Sequence, residues 1–232
     1  MVAELISRIT PHISIDRLES YRPLQPTPGT DRDMLVTYLF NLALCEALYT
    51  PLSLLEISLR NTLHTNLSAL YGSPAWYKIP GVLQPYQVGD ITKVEAKIVR
   101  QQKTVTVPRV ISELKFGFWT SLLSKDYDGL WRARWATLLK SSFPEIPRSV
   151  RQRNNVYHRY NDIRELRNRV FHHEAIWSRF TLESDHECIL EAIGWVNSEM
   201  FDACKLVDRF EDVFKSGRAN IERKLTDRYP AP

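Results

Sequence analysis

Pro51-Leu52-Ser53-Leu54-Leu55-Glu56-Ile57-Ser58-Leu59-Arg60-Asn61-Thr62-Leu63-His64-Thr65-Asn66-Leu67-Ser68-Ala69-Leu70-Tyr71-Gly72 is the stretch that fixes the fold class. Leu55, Leu59, Leu63, Leu67 and Leu70 recur at spacings of three and four, with Leu54 and Ile57 widening the stripe, which is the pattern of a core helix. Proline suits a first helical turn and glycine the position just past a helix end, so the sequence predicts a new helix starting at Pro51 and stopping near Gly72.

Working outward, Leu35, Leu39, Leu42, Ala43 and Glu46 continue the same period upstream and predict another helix before Pro51. Met34 to Leu59 is rich in leucine, but Asn41, Glu46, Pro51 and Glu56 interrupt it. No run of about eighteen apolar residues remains, and the segment is expected to be buried core rather than a membrane span. Ser14 is placed to cap a short helix to about Tyr21, and the proline-rich stretch Arg22 to Thr30 connects it to the rest.

Downstream, Pro80-Gly81 and Pro85 mark a loop, and a polar helix is expected over Val88 to Gln102. A short extended piece at Thr104 to Val107 and a helix over Pro108 to Leu123 come after it. Leu130 to Lys140, about Ser149 to His172, and Glu183 to about Phe214 are further helices. Ile189, Ile193, Val196, Met200, Phe201, Leu206 and Val207 are expected on the inner side of the last. There is no tandem repeat and no alternating strand pattern. The expected fold is an all-α, HEPN-like helical bundle with additional helices: an N-terminal extension and connector over residues 1–30, then one domain over 31–232.

A chain of 232 residues with 44% apolar content is long enough to bury a core, so disorder is not expected. Three cysteines, Cys45, Cys188 and Cys204, without a C-x-x-C pair, argue against a disulfide framework and against a zinc site. The first residues lack a basic stretch followed by an apolar run, so no signal peptide is indicated and a cytoplasmic setting is expected, with no membrane and no cofactor.

The net charge of +4 is small, but its distribution is uneven. Between Arg148 and Phe180 there are eight arginines, no lysine and three acids, a net of +5, which leaves the rest of the chain at −1. Arginine interleaved with Tyr157, Tyr160 and Trp177 suits contact with phosphates and bases. Arg153, Arg159, Arg164, Arg169 and Trp177 are the candidate RNA contacts, against the plain alternative of a solvated helix face.

Within that segment lies Leu166-Arg167-Asn168-Arg169-Val170-Phe171-His172-His173-Glu174. Breaking RNA by attack of its own 2′-hydroxyl needs a base for that proton, an acid for the leaving 5′-oxygen, and positive charge on the phosphorane. A histidine titrates near neutrality and can serve as base or acid. An arginine supplies a fixed cation whose planar fork matches phosphate oxygens. Asn168 is placed to orient the histidine or hold a phosphate oxygen, and no metal is required. On an ideal helix, Arg167 and His172 are roughly 140° apart around the axis. They converge only if the helix ends or bends near Phe171, or if a second copy faces the first; a single pair also offers one titratable group for two proton transfers.

The pattern Arg167-Asn168-x-x-x-His172-His173-Glu174 resembles the C-terminal motif of the Abi-like (abortive-infection) proteins, a phage-defence branch of the HEPN ribonuclease superfamily. Leu54 to Asn61 and Glu113 to Leu123 resemble the same family, so the likeness spans roughly Pro51 to Trp177. It implies a metal-independent endoribonuclease, a toxin or antiviral defence protein. Its catalytic pair would be Arg167 and His172, its polar partner Asn168, and its site a composite one in a homodimer. RNA is the implied substrate, and an antitoxin or regulatory RNA is a further partner consistent with it. His173 and Glu174 match the extended motif as supporting residues. Some HEPN domains have lost catalysis, so the alternative is a non-catalytic RNA- or protein-binding module.

Leu59-Arg60-Asn61-Thr62-Leu63-His64 echoes the start of the motif with its histidine one residue nearer. Arg60 and His64 share a helix face. Together with Glu56 they are candidate supporting residues, the plainer reading being a polar side chain reaching out from a core helix. His158, four turns before His172, is expected to be an idle surface histidine. In Ser184-Asp185-His186-Glu187 a helix cap accounts for the polar residues. Trp119, Trp131, Trp135 and Trp195 are expected in the core.

Overall fold

The structure, a computed structural model, describes residues 2–22 and 29–230. Every regular element among them is helical: α1 (Val2–Ile13), α2 (Ile15–Glu19), α3 (Asp31–Tyr71), α4 (Pro85–Arg100), α5 (Val107–Glu113), α6 (Phe116–Ser121), α7 (Asp128–Arg134), α8 (Lys140–Ser142), α9 (Arg153–Phe171), α10 (Leu182–Val196), α11 (Ser198–Val207) and α12 (Phe210–Arg228). The chain divides into two compact units. The first gathers Met1–Thr50, Arg167–Glu187 and Val207–Pro232; the second gathers Pro51–Leu166 and Cys188–Leu206.

In the first unit, Ile6 of α1, Leu18 of α2, Met34 and Leu35 of α3 and Leu225 of α12 form one apolar cluster. Ser14 caps α2 as expected, its hydroxyl accepting from the Arg17 N–H at 3.3 Å. Most of the proline-rich connector, residues 23–28, lies outside the described residues, but Arg22 just before it bonds both Glu19 and Asp31 at 2.7 Å. The second unit is built around large aromatic side chains. Trp76, Trp119, Trp131, Phe143 and Tyr160 are all essentially inaccessible to solvent. The Trp131 indole N–H donates to the Leu122 carbonyl at 2.6 Å and the Tyr160 hydroxyl to the Ala192 carbonyl at 2.8 Å, so their polar tips are satisfied as well as their rings packed. The Trp135 side chain lies outside the described residues.

The helix expected to begin at Pro51 instead continues one already running. Pro51 sits inside the 41-residue α3, and the change of unit falls at Thr50/Pro51 without interrupting it. An interior proline forfeits a backbone bond and costs roughly 3 kcal/mol. Leu48, Leu52 and Leu55, each at most 1% exposed, flank it. Burial stabilises by about 1.5–3 kcal/mol per leucine, enough for three of them to outweigh the break. α3 is also long and apolar enough to cross a membrane, but 50% of its most apolar window is buried inside the structure, as happens in core helices. It stops where expected, with Gly72 at φ +65° and the Ser73 N–H reaching back to the Ser68 carbonyl at 3.1 Å.

Three other expectations change. In place of the extended piece expected at Thr104 to Val107, Thr104 to Thr106 is loop and Val107 is already the first residue of α5. The single helix expected over Pro108 to Leu123 is two, because Leu114 adopts an extended backbone (φ −72°, ψ 129°) between α5 and α6. The break lets Leu114 and Phe116, 3% and 2% exposed, both turn inward. The long C-terminal helix is three. Asn197 caps α11 through its side-chain oxygen on the Met200 N–H (2.7 Å), and in the break before α12 the Asp208 carboxylate accepts the Phe210 N–H (3.0 Å). Consequently Leu206 and Val207, expected to face inward, are 87% and 54% exposed at the end of α11.

Candidate functional site

The motif spans the end of α9, through Phe171, and the three residues beyond it. Val156, Tyr160, Ile163, Leu166 and Val170 recur at helical spacing and are at most 3% exposed, which leaves the opposite face to polar residues. Arg167 to Glu174 belong to the first unit, whereas the preceding turns, Arg153 to Leu166, belong to the second.

α9 ends with a double backbone cap. The His173 N–H donates to the Val170 carbonyl (3.2 Å) and the Glu174 N–H to the Arg169 carbonyl (2.9 Å). That pair of bonds needs a left-handed residue at His173, and its φ is +57°. Gln102 terminates α4 in the same way at φ +57°, so the conformation is a stop device this chain uses more than once.

The turn beyond the cap is held firmly. The His173 carbonyl accepts from the Arg17 guanidinium, and the Tyr21 hydroxyl lies 3.4 Å from it. Asn41, fully buried in α3, is the main clamp. Its side-chain oxygen accepts the backbone N–H groups of Ile176 (2.7 Å) and Trp177 (3.1 Å), and its amide donates to the Glu174 carbonyl (3.3 Å). A buried backbone group left without a partner costs about 1–3 kcal/mol, so Asn41 is the residue that lets this turn sit in the interior. In the sequence, Asn41 is visible only as an interruption in an apolar run. A polar residue fully inside a leucine-rich helix was the available signal that some distant backbone required it.

The catalytic candidates separate around the helix. The Arg167 guanidinium is half-buried and lies 4.0 Å from the centre of the Phe171 ring, one turn on. The ring in turn stacks on Tyr49 at 5.1 Å and 23°. Such a contact holds a cation in place over the ring face. His172 is exposed, and its ring has no hydrogen-bond partner among the described residues. The Asn168 side chain, half-buried, has none there either. The helix does end near Phe171, as convergence required. However, the His172 N–H still bonds the Asn168 carbonyl at 2.9 Å, so the stop comes one residue too late to fold the imidazole back over Arg167. Asn168 and His172 share one face and Arg167 and Phe171 the adjacent one.

His173 and Glu174 are exposed, and the Glu174 carboxylate is 3.8 Å from Arg169. A cavity of about 460 Å³ opens beside the turn. Val170, Phe171 and His173 line it on one side, and Cys45, Glu46 and Tyr49 of α3 on the other; Arg167 and His172 are not in its wall. Burial pushes the Cys45 thiol up to about 11, so it is an inert wall rather than a nucleophile.

The arginines expected to contact RNA divide sharply. Arg153 is ion-paired with Asp128 at 2.5 Å and bonds the Leu123 carbonyl at 2.9 Å. Arg159 pairs with Glu191 at 2.5 Å and lies 5.0 Å from the Trp195 ring. Arg164 is hydrogen-bonded to Asn161 at 2.8 Å. These three are engaged within the second unit, while Arg169 is exposed. Trp177 is half-buried, with its backbone fixed by Asn41.

The echo has a different character. His64 is half-buried in α3 and its Nδ1 accepts the Trp76 indole N–H at 3.1 Å; desolvation lowers its pKa below the ordinary 6.5. Arg60 reaches the neighbouring Asn61 at 3.3 Å. Glu56 is half-buried one turn before Arg60. His158 is exposed, as expected, and its ring is 5.5 Å from Tyr157. His186 departs from expectation: α10 already starts at Leu182, ahead of Ser184 and Asp185, with the Thr181 hydroxyl donating to the Asp185 carboxylate at 2.9 Å, and His186 is buried, bonded to Asp208 at 2.7 Å and stacked on Phe210 at 4.3 Å. Among the described residues no cluster of three or more His, Cys, Asp or Glu side chains is placed to hold a metal. No protein-family model, no curated protein and no solved structure matches this chain.

Proposed function

We propose that the chain is a metal-independent endoribonuclease of the HEPN type, acting on RNA in the cytoplasm as an abortive-infection or toxin protein. The observation that carries this reading is the state of His172. It is an exposed imidazole with no hydrogen-bond partner among the described residues, on the same helix face as Asn168 and one turn from a guanidinium fixed on Phe171. Structural histidines in this chain look different: His64 and His186 each have a specific hydrogen-bond partner.

In this reading His172 takes the 2′-hydroxyl proton. The new O2′–P bond forms as the P–O5′ bond breaks, and the products carry a 2′,3′-cyclic phosphate and a 5′-hydroxyl. Arg167 holds the non-bridging oxygens as charge builds on them, and Asn168 orients the imidazole. Because Arg167 and His172 of one chain sit on adjacent helix faces, the proposal places two copies around one phosphate. The second His172 then protonates the leaving oxygen, and the second Arg167 adds its charge. An antitoxin or regulatory RNA would act by covering this surface.

The test is cleavage of a defined single-stranded RNA in excess EDTA by wild type, Arg167→Ala and His172→Ala, with product ends identified. Cyclic-phosphate ends from wild type and their absence from both variants support the reading. RNA left intact by all three, but still bound, replaces it with the non-catalytic binding module.

A further inference from the structure

The cavity beside the motif has the attributes of a base-binding pocket, and none of the catalytic roles above uses it. Tyr49 is 55% exposed although one part of its ring is stacked on Phe171, so an aromatic surface is presented to solvent at the cavity wall. A volume of about 460 Å³ accommodates a nucleotide. Exposed aromatics of this kind are where unpaired bases stack, and stacking tolerates any base.

The rim adds selectivity. Glu46, three residues before Tyr49 and on the same wall, is exposed. Its Oε1 accepts from Arg209 at 3.0 Å, which offsets the negative charge that would otherwise repel RNA. A carboxylate is an acceptor only. Guanine alone among the four bases offers two adjacent donors on its pairing edge, N1–H and the N2 amino group. Adenine and cytosine each place an acceptor beside their amino group, and uracil has a single donor between two acceptors.

We propose that this cavity is a guanine subsite for single-stranded RNA, with Tyr49 as the stacking platform and Glu46 as the edge reader. His173 lines the same cavity and directly follows His172, so a base seated there would lie next to the phosphate to be cut. That placement rests on the ribonuclease reading; the pocket's affinity for guanine does not.

The experiment measures binding of non-cleavable 2′-O-methyl oligonucleotides of one length carrying a single G, A, C or U in an otherwise uniform sequence. Wild type, Tyr49→Phe, Tyr49→Ala and Glu46→Gln are compared, each checked for an unchanged thermal transition. The G oligonucleotide is expected to bind wild type about tenfold more tightly than the others, as one good pair of hydrogen bonds provides. Tyr49→Ala is expected to weaken binding about tenfold or more, with Tyr49→Phe close to wild type. Glu46→Gln should remove the preference for G while sparing the A oligonucleotide. Equal affinity for all four and indifference to Tyr49→Ala in a folded variant overturn the subsite.

A parallel cleavage assay separates the two ideas. Cleavage that ignores base identity and Tyr49 leaves the nuclease standing and removes the subsite. Tyr49-dependent binding of G without cleavage does the reverse.

Discussion

Leu59-Arg60-Asn61 and Leu166-Arg167-Asn168 are the same three residues in the same secondary structure, yet the two regions have opposite characters. The first lies mid-helix in α3, where His64 is drawn in to accept the Trp76 indole N–H. The second lies near the end of α9, so its histidine is the first residue beyond the helix and remains exposed. Both helices stop by the same backbone device, a left-handed residue at Gly72 and at His173. The distance from motif to stop sets them apart: twelve residues from Arg60 to Gly72, six from Arg167 to His173. A histidine still inside a packed helix becomes a structural acceptor; one at the helix end has solvent on its ring.

Substitution of the two histidines gives the widest contrast. His172→Ala should lower kcat for RNA cleavage by about 10²- to 10⁴-fold, the usual contribution of a general acid–base group. Its denaturation midpoint should be unchanged. His64→Ala should leave the turnover of folded protein intact. An equal loss of activity in both variants would erase the distinction drawn between the regions.

The arginines come next. Removing the cation in Arg167→Ala is expected to cost about 10²- to 10³-fold in kcat, and Arg167→Lys should recover little of it, because an ammonium lacks the planar fork. Arg60→Ala should be silent in the same assay. Full rescue by lysine would show that Arg167 acts as a point charge only.

Asn41 tests how the motif's turn is held. Asn41→Ala strands two backbone N–H groups and should destabilise the protein by about 2–4 kcal/mol in chemical denaturation, with secondary structure retained. A loss below about 0.5 kcal/mol, the size of an ordinary surface change, would mean that water replaces the clamp.

Smaller effects refine the contrast between the two histidines. His64→Ala removes the acceptor for a partly buried indole and should cost about 1–3 kcal/mol. The depressed pKa of His64 also has a pH signature. Its unfolded form binds a proton near 6.5 while the folded form resists it, so this stabilisation is complete above that pH and is lost progressively as pH falls towards the folded value. Wild type should therefore melt at lower temperature on acidification below 6.5, and His64→Gln should show a shallower decline. Last, His173→Gly relieves a side chain from left-handed backbone and should be neutral or stabilise by up to about 1 kcal/mol. A large drop in cleavage with that stability gain would assign the His173 ring a direct part in the site.

Much of the fold was legible because its signals are local. Leucine spacing marked the helices, Ser14 the start of α2, and Gly72 the end of α3. The failures came where burial overruled punctuation: Pro51 reads as a start but is outweighed by the leucines around it. Asn197 and Asp208 read as members of one long helix but lie in the breaks that divide it. In the candidate site, the residue types were visible and their availability was not. Arg153, Arg159 and Arg164 look like Arg169 in sequence; packing holds the first three against Asp128, Glu191 and Asn161, and leaves Arg169 exposed, 3.8 Å from Glu174.

The order of residues was enough to establish that this chain is helical, where several helices begin and end, and that arginine, asparagine and histidine are grouped near the end of one of them. Those properties follow from spacing along the chain, which repeats every 3.6 residues whatever lies beyond it. Packing was needed to expose His172 while occupying His64, and to secure the turn after α9 through Asn41. Asn41 and Ile176 are 135 positions apart, and a hydrogen bond over that separation exists only once the chain has packed.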